Sequence, residues 1–572
     1  MKFKLAMSLK ELKKRTSKRY YKSIKLLAPE SREVKILSKD DLLTLMHLTR
    51  AAAQFDIVHF KLENHHNLEF LDYLNNEIKN GNQKAELTKR LFLSQKSMFS
   101  FDNLGEKTRL VKNLDEPIGM GYYPEDLGPK EFHDILLNML SDGKNDEVQR
   151  ILSQRTIVVR DKDFLRAIDY VNAFHDEFKI AANKLRQAAK TSSDKKFNKF
   201  LELQALALET ADERLDAEAD KAWAKLKGKF EFTICRESYN DRLTQTIFSN
   251  DKLVQALKEN NIEVSTKDSI GARVGIINKS GTKLLSKLQN LTYVEAKFMP
   301  YNDEYESSFL SENQNQTAVD VDLVTLTGEE GAYQAGIVLA QNLPNDDKLA
   351  VKLGYGRRNV YHRQIRKNVN RKLYKNLITE EQFKYFNPEA EHWSTICHEN
   401  THSLGPKSSS LGGYSSIIEE FKADMGMYAF LDEFVKEKFF TDEQTKQMMV
   451  TSLSYSFLKG KPDVNQAHRT RSLMICNRML AENAIEITED VRLKFNFDKV
   501  KFAAKNMMAE VIRLQLEGNI NNASEYVTEW SKWTDNIDKV ANKIKKFSKS
   551  LNGYLIQPLA DSMLREDYDE KL

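Results

Sequence analysis

Cysteine is scarce in this chain of 572 residues. Cys235, Cys397 and Cys476 are too few and too scattered for a disulfide framework, so a reducing, cytoplasmic setting is the expectation. No run approaches the roughly 18 apolar residues that a membrane span requires. The opening MKFKLAMSLKELKKRTSKRYY lacks the apolar core and small-residue cleavage site of a secretory signal, and no membrane partner is expected. Charge of one sign is not in surplus either: 87 basic and 83 acidic residues leave a net charge of +4. Without a domain-wide basic excess, nucleic acid is not expected as a partner, and the basic run 10–22 reads as a solvated helix or frayed end. There is no internal repeat and no low-complexity tract. Gly354-Tyr355-Gly356 is too short for a phosphate-cradling loop.

What is present reads as ordinary globular protein, 41% hydrophobic and 30% charged, with length for about three or four average domains. From 39 to about 140, apolar residues recur at helical spacing, as in Leu42, Leu45, Met46 and Leu48. His65-His66 lies in a polar context and reads as a surface pair. Turn formers fill 119–128, and Pro129 starts a helix. Residues 169–228 predict two or three long helices. The segments 230–235, 272–278, 318–326 and 333–340 carry β-branched and aromatic residues at strand length. Helical pattern returns from about 370 to 551. A small sheet set between helical regions makes the fold class α+β, predominantly α-helical.

The chemistry concentrates in residues 397–424, CHENTHSLGPKSSSLGGYSSIIEEFKAD. His398 and His402 stand four apart, on one face of a helix, so both imidazoles can serve one cation. Glu399 is placed to act on a water held by that cation. Gly405-Pro406 is a strong helix stop, and Ser415-Ser416 can cap a second helix near Ile417. On that helix Ile417, Phe421, Met425 and Tyr428 share an apolar face. Glu420 and Asp424 flank this face, whereas Glu419 points nearly away from it. Carboxylates beside a buried stripe are costly unless paired or bound to a cation. Glu420 is therefore the expected third ligand, and Asp424, one turn on, would accept the free N–H of a ligand imidazole. The alternative is a helix whose acids reach solvent.

HENTH followed by EEFKAD resembles the zinc site of the dipeptidyl-peptidase III family of metallopeptidases. Further segments agree in the family's order: RESYND at 236–241, NLPND at 342–346 and AHRTRSLMICNRMLAEN from Ala467. GMGYYPEDL and the 220–223 region are similar to the shorter bacterial and plant members. The resemblance spans roughly 39–483. It implies one zinc per chain on His398, His402 and Glu420, with Glu399 as the base. It implies that Tyr239 and His468 lie near the scissile carbonyl as hydrogen-bond donors. Glu237, Asn342 and Asn345 would hold the free α-amino group of an oligopeptide, setting the cut two residues from its N-terminus. Without the family, Glu237 and Tyr239 read as an ion pair and a core phenol, the asparagines as turn residues around Pro344, and His468 as a capping or core histidine.

The implied architecture has two lobes with a wide cleft: residues 1–372 as a mixed lobe with the small sheet, 373–550 as the helical zinc lobe, and 551–572 as a tail. Strand 333–341 is expected to receive an extended peptide by β-addition. The sequence departs from the family in its five-residue motif, where the best-known members insert one more residue. The gap from His402 to Glu420 is also short, Phe421 stands where a small residue is common, and Arg469 and Arg471 do not align cleanly with the family's basic position. Substrate preference is what these departures touch. The expected function is a zinc exopeptidase releasing dipeptides. The alternatives are a catalytically silent peptide-binding protein or a zinc hydrolase of a non-peptide substrate. Plant relatives fuse a nudix hydrolase to this domain, but no nudix-type Gly/Glu box is visible here.

Overall fold

A computed structural model describes residues 3–18, 21–101, 107–237, 241–288, 290–305, 317–328, 340–343, 358–365, 371–406, 409–462, 466–547 and 552–571. The fold is α+β and predominantly helical. It separates into two compact units, one of Met1–Ile277, Asp322–Ile337 and Leu551–Leu572, the other of Asn278–Val321 and Val338–Ser550. This division differs from the boundary read at 372, because strand pairing between distant segments leaves no local sequence pattern. Residues 552–556, read as part of a tail, pair in parallel with β1 (Tyr21–Lys25), Ser23 lying opposite Tyr554.

In the first unit, α1 (Lys39–Glu63) opens on a capping box. Asp41 N–H donates to Ser38 Oγ at 3.1 Å, and Ser38 N–H donates to Asp41 at 3.2 Å. Its buried face, including Leu45, Leu48, Phe55 and Val58, meets α2 (His175–Thr191), where the Phe55 and Phe178 rings lie 6.0 Å apart. Next come α3 (Lys195–Glu209) and α4 (Glu213–Trp223), each capped by an Asp side chain. Strand β2 (Phe230–Glu237) pairs antiparallel with β3 (Ser269–Ile277), Phe232 opposite Val274. Phe197 and Phe200 of α3 cover Phe230 and Phe232 at 6.4 and 6.5 Å. The expected strands at 230, 272 and 318 are thus present. Residues 333–339 of the fourth lie outside the described residues.

Strand β4 (Thr317–Leu326) is buried along almost its whole length, as a strand covered on both faces must be. Past its end, Thr327 N–H donates to Ala272 O at 2.9 Å beside β3. In the second unit, β5 (Ala340–Leu343) runs antiparallel to β6 (Arg358–His362), Asn342 opposite Asn359. β6 in turn runs parallel to the first half of β4, Val360 beside Val319.

The helices of the second unit include α5 (Leu291–Phe298), α6 (Pro388–Thr401), α7 (Ser415–Ala429), α8 (Asp442–Ser456), α9 (Ala467–Ala481) and α10 (Phe497–Glu517). Helix α7 is central, packed on α6, α9 and α10, with Ile418, Phe421, Met425 and Tyr428 fully buried. A Cβ on Gly426 would stand 1.8 Å from Thr401 Oγ1, so only glycine lets α7 lie this close to α6. Ser415 does not cap α7. The chain enters from the 3-10 turn Ser409–Tyr414, and Ser415 is already its first residue.

Cys397 and Cys476 are free and buried. No described helix is long and apolar enough to cross a membrane. His65 Nε2 lies 2.8 Å from Tyr123 O and His66 Nε2 3.0 Å from Glu125, so each of the paired histidines is engaged by its own protein oxygen.

Candidate metal centre

Helix α6 starts with Asn387 as cap, its Oδ1 accepting from Glu389 N at 3.1 Å, and with Pro388 in the first turn, where a missing N–H costs nothing. Its last turn carries His398 and Glu399. The helix proper ends at Thr401, but His402 N–H still donates to His398 O at 3.2 Å, which keeps the two rings on one face. Gly405, at φ +83°, then turns the chain away. The imidazole planes stand at 87°, centroids 4.7 Å apart, with the Nε2 atoms 3.1 Å from each other.

Glu420 of α7 completes the cluster. Its Oε2 is 3.6 Å from His398 Nε2, and its Oε1 is 3.7 Å from His402 Nε2. One ligand atom from each of the three residues lies within 4.8 Å of the other two. The outward nitrogens are both engaged. His398 Nδ1–H donates to Asp424 Oδ1 at 2.8 Å, and His402 Nδ1–H donates to Glu419 Oε1 at 3.0 Å. Each carboxylate accepts only, which assigns the tautomers. In the neutral rings both Nε2 lone pairs then face inward, across 3.1 Å and beside a carboxylate. Three electron-pair donors at this range repel one another unless a cation stands among them. Two imidazoles and one carboxylate are the three-protein-ligand set of a catalytic zinc site, so the residues present fit that ion.

Each outer carboxylate has its own buried cation. Lys422 Nζ lies 2.9 Å from Glu419 Oε1, and Gln515 Nε2 donates to Glu419 Oε2 at 3.0 Å. The Arg471 guanidinium pairs with Asp424 Oδ1, and its Nη1 is 3.7 Å from Glu420 Oε2. Burial alone would raise these carboxyl pKa values, but the facing cations outweigh it. Lys422, with His402, carries Glu419 down to about 2. Arg471 and His398 lower Asp424. His468, Arg471 and His402 hold Glu420 well below the usual carboxylate range. Glu295, where α5 packs on α6, shows the opposite outcome. It accepts one hydrogen bond, from Thr401 Oγ1 at 3.3 Å, and burial pushes its carboxyl well above the usual range.

His398, His402, Glu420, Asp424 and His468 of the expected site residues are brought together. Glu399 sits on α6 beside His398 and is 7% exposed. His468, at the start of α9, places Nδ1 3.1 Å from Glu420 Oε2, its side chain 38% exposed. Asn342 is placed by its backbone on β5. The neighbouring β6 reaches α6 through Asn359 Nδ2, which donates to Asn400 Oδ1 at 3.5 Å, and through Tyr361, whose ring meets His392 at 5.6 Å. Glu237 is placed only as the last residue of β2 in the other unit. Tyr239 and Asn345 lie outside the described residues.

Sequence reasoning missed Glu419, Lys422, Arg471 and Gln515. The helical wheel set Glu419 away from the apolar face of α7. It meets His402 across the α6–α7 contact, its Oε1 3.0 Å from His402 Nδ1, and a wheel of α7 alone cannot show a partner on another helix. The available signal was the spacing of three from Glu419 to Lys422, which brings the two side chains together on a helix.

No family model matches the chain. A curated relative, Nudix hydrolase 3 of Arabidopsis thaliana, is 22% identical over 496 residues, which is 80% of this chain and 60% of that protein, so the chain spans less than two thirds of the relative's length. Among solved structures, dipeptidyl-peptidase III from Corallococcus sp. strain EGB superposes with a TM-score of 0.81 at 20% identity, covering 97% of this chain and 98% of that one. The enzyme from Caldithrix abyssi superposes with a TM-score of 0.74 at 22% identity, covering 97% and 100%. With its helical zinc-type ligand set carried on α6 and α7, the chain has the dipeptidyl-peptidase III fold.

Proposed function

We propose that the chain is a zinc-dependent peptidase that releases dipeptides from the N-terminus of oligopeptides, with one zinc per chain. One observation carries this reading: His398, His402 and Glu420 converge with inward lone pairs, each imidazole oriented by its own carboxylate, on a fold shared with two solved dipeptidyl-peptidases. His398, His402 and Glu420 would hold the ion, which supplies Lewis acidity toward the scissile carbonyl and a lowered pKa for water beside it.

Glu399 takes the proton of the attacking water as its oxygen bonds to the carbonyl carbon, then delivers that proton to the departing amine nitrogen as the C–N bond breaks. His468 and Tyr239 donate hydrogen bonds to the carbonyl oxygen as negative charge develops on it. Glu237, Asn342 and Asn345 bind the substrate's free α-ammonium group, which measures the cut at two residues. The second unit carries the metal ligands, and the free, buried Cys397 and Cys476 support a reducing, cytoplasmic setting.

The test is mass spectrometry of the products from a mixed oligopeptide pool, with and without chelator. Chelator-sensitive release of N-terminal dipeptides is expected. A pool left intact by zinc-loaded protein would point to a binding protein, and single-residue or internal cleavage would remove the amine clamp from the account.

A further inference from the structure

Arg471 stands out among the groups around the cluster because the reaction proposed above gives it no task. It lies on α9, one turn after His468, and its side chain is 12% exposed. The guanidinium is in contact with Asp424, the acceptor for His398, and lies 3.7 Å from Glu420, a ligand itself. Its Nε is buried and has no acceptor among the described residues, so the arginine is not there to satisfy its own hydrogen bonds. Lys422 is the corresponding cation on the His402 side, but its charge is divided between Glu419 and the Leu404 carbonyl that follows α6. Arg471 alone of the two touches a ligand carboxylate. A fixed positive charge in a buried site is only weakly screened by salt or water. It draws electron density from both carboxylates and repels a second cation.

We propose that Arg471 sets the metal affinity of this site from outside the ligand set, holding it below what His398, His402 and Glu420 would reach alone. The benefit is electrophilicity: ligands that give less charge to the ion leave more of its charge for the substrate carbonyl. This inference rests on the reading of the cluster as a metal centre and makes Arg471 a positioning residue of unusual sign. Partners that merely orient a ligand raise affinity, and their removal weakens metal binding by about 10–100-fold. Arg471 is expected to do the reverse.

The experiment uses the full chain, stripped of metal, and measures zinc affinity by competition with a chromogenic chelator. Arg471→Met is expected to bind zinc about tenfold more tightly or better, and to release it more slowly. Arg471→Gln, which keeps N–H donors for Asp424 without the charge, is expected to tighten likewise, and it carries the test if the Met variant does not fold. Arg471→Lys is expected to restore the wild-type value. Weakened or unchanged affinity in the neutral variants overturns the proposal and leaves Arg471 as an orienting contact. Failure of the wild type to bind zinc at all overturns the metal-centre reading itself, a different outcome from the variants alone failing to tighten.

Discussion

Two of the buried networks of ionisable side chains among the described residues are built to opposite ends. In the first unit Lys267 is fully buried, and its ammonium donates to Ile151 O at 2.6 Å, Ser153 O at 2.9 Å and Thr156 Oγ1 at 2.7 Å, using all three protons. Asp241 accepts from Thr244 N at 2.9 Å, Thr244 Oγ1 at 2.6 Å, Tyr123 OH at 3.0 Å and Lys267 N at 3.0 Å. Every donor there meets an acceptor. In the second unit, the carboxylates of Glu419 and Asp424 are matched in the same way by Lys422 and Arg471, but the centre is left as lone pairs. Buried charge by itself therefore does not mark a functional site. The mark is a set of acceptors turned toward one another behind an outer ring that is already satisfied.

The sharpest way to break this comparison is at Glu399. Changing it to Gln should reduce dipeptide release by about 10²–10⁴-fold while the zinc content, measured by metal analysis, stays at the wild-type level. Unchanged turnover would show that the open centre does not do acid–base chemistry through this residue. In the closed network, Lys267→Met strands two backbone carbonyls and leaves Asp241 without its nearby cation. The cost is about 3 kcal/mol of stability in the first unit's unfolding transition, followed by denaturant titration, with zinc affinity unaltered. A shift in zinc affinity would mean the two networks are coupled. Asp424→Asn tests the outer ring. The amide can still accept from His398 but no longer carries charge, and zinc affinity is expected to fall by about 10–100-fold.

How much of this is readable in the sequence follows the same division. The spacing of His398 and His402, the apolar face of α7 and the position of Glu420 are consequences of a 3.6-residue period, so the order of residues alone is enough to place them. Strands β2, β3 and β4 are visible as β-branched runs. The pairing of 552–556 with β1 and the entry of 278–321 into the second unit are not, because long-range pairing leaves no local period. Glu419 escapes because its partner His402 is on another helix, which a wheel of α7 alone cannot represent. Arg471 escapes because its partner is on another helix. The segment around Asp241 is instructive in a different way. Asp241 belongs to the stretch that resembles the peptidase family near the substrate, and Tyr123 to the GMGYY match. The structure bonds them to each other at 3.0 Å, so part of that resemblance reflects a shared folding requirement rather than chemistry.

The smallest expected effect separates the two networks by pH. Burial draws the Lys267 ammonium down to about 7, outweighing Asp241 and Asp268, which raise it. In the unfolded chain a lysine titrates near about 10.4. Between these values the unfolded state holds a proton that the folded state has released. Stability therefore rises with pH through that window, by at most about 1.4 kcal/mol per unit from this group, and is flat below and above it. The Lys267→Met chain lacks this contribution, so the gap in stability between wild type and variant should widen from about pH 7 toward about 10. The carboxylates of the metal-free centre act at the other end. Glu419, at about 2 when folded, contributes stability that is present above its unfolded value of about 4.3 and lost as pH falls toward about 2. In metal-free protein Glu419→Gln should flatten the acid limb and leave the alkaline one alone, while Lys267→Met should do the converse. If either substitution moved both limbs, the two networks would not be the independent constructions that their separate hydrogen bonding describes.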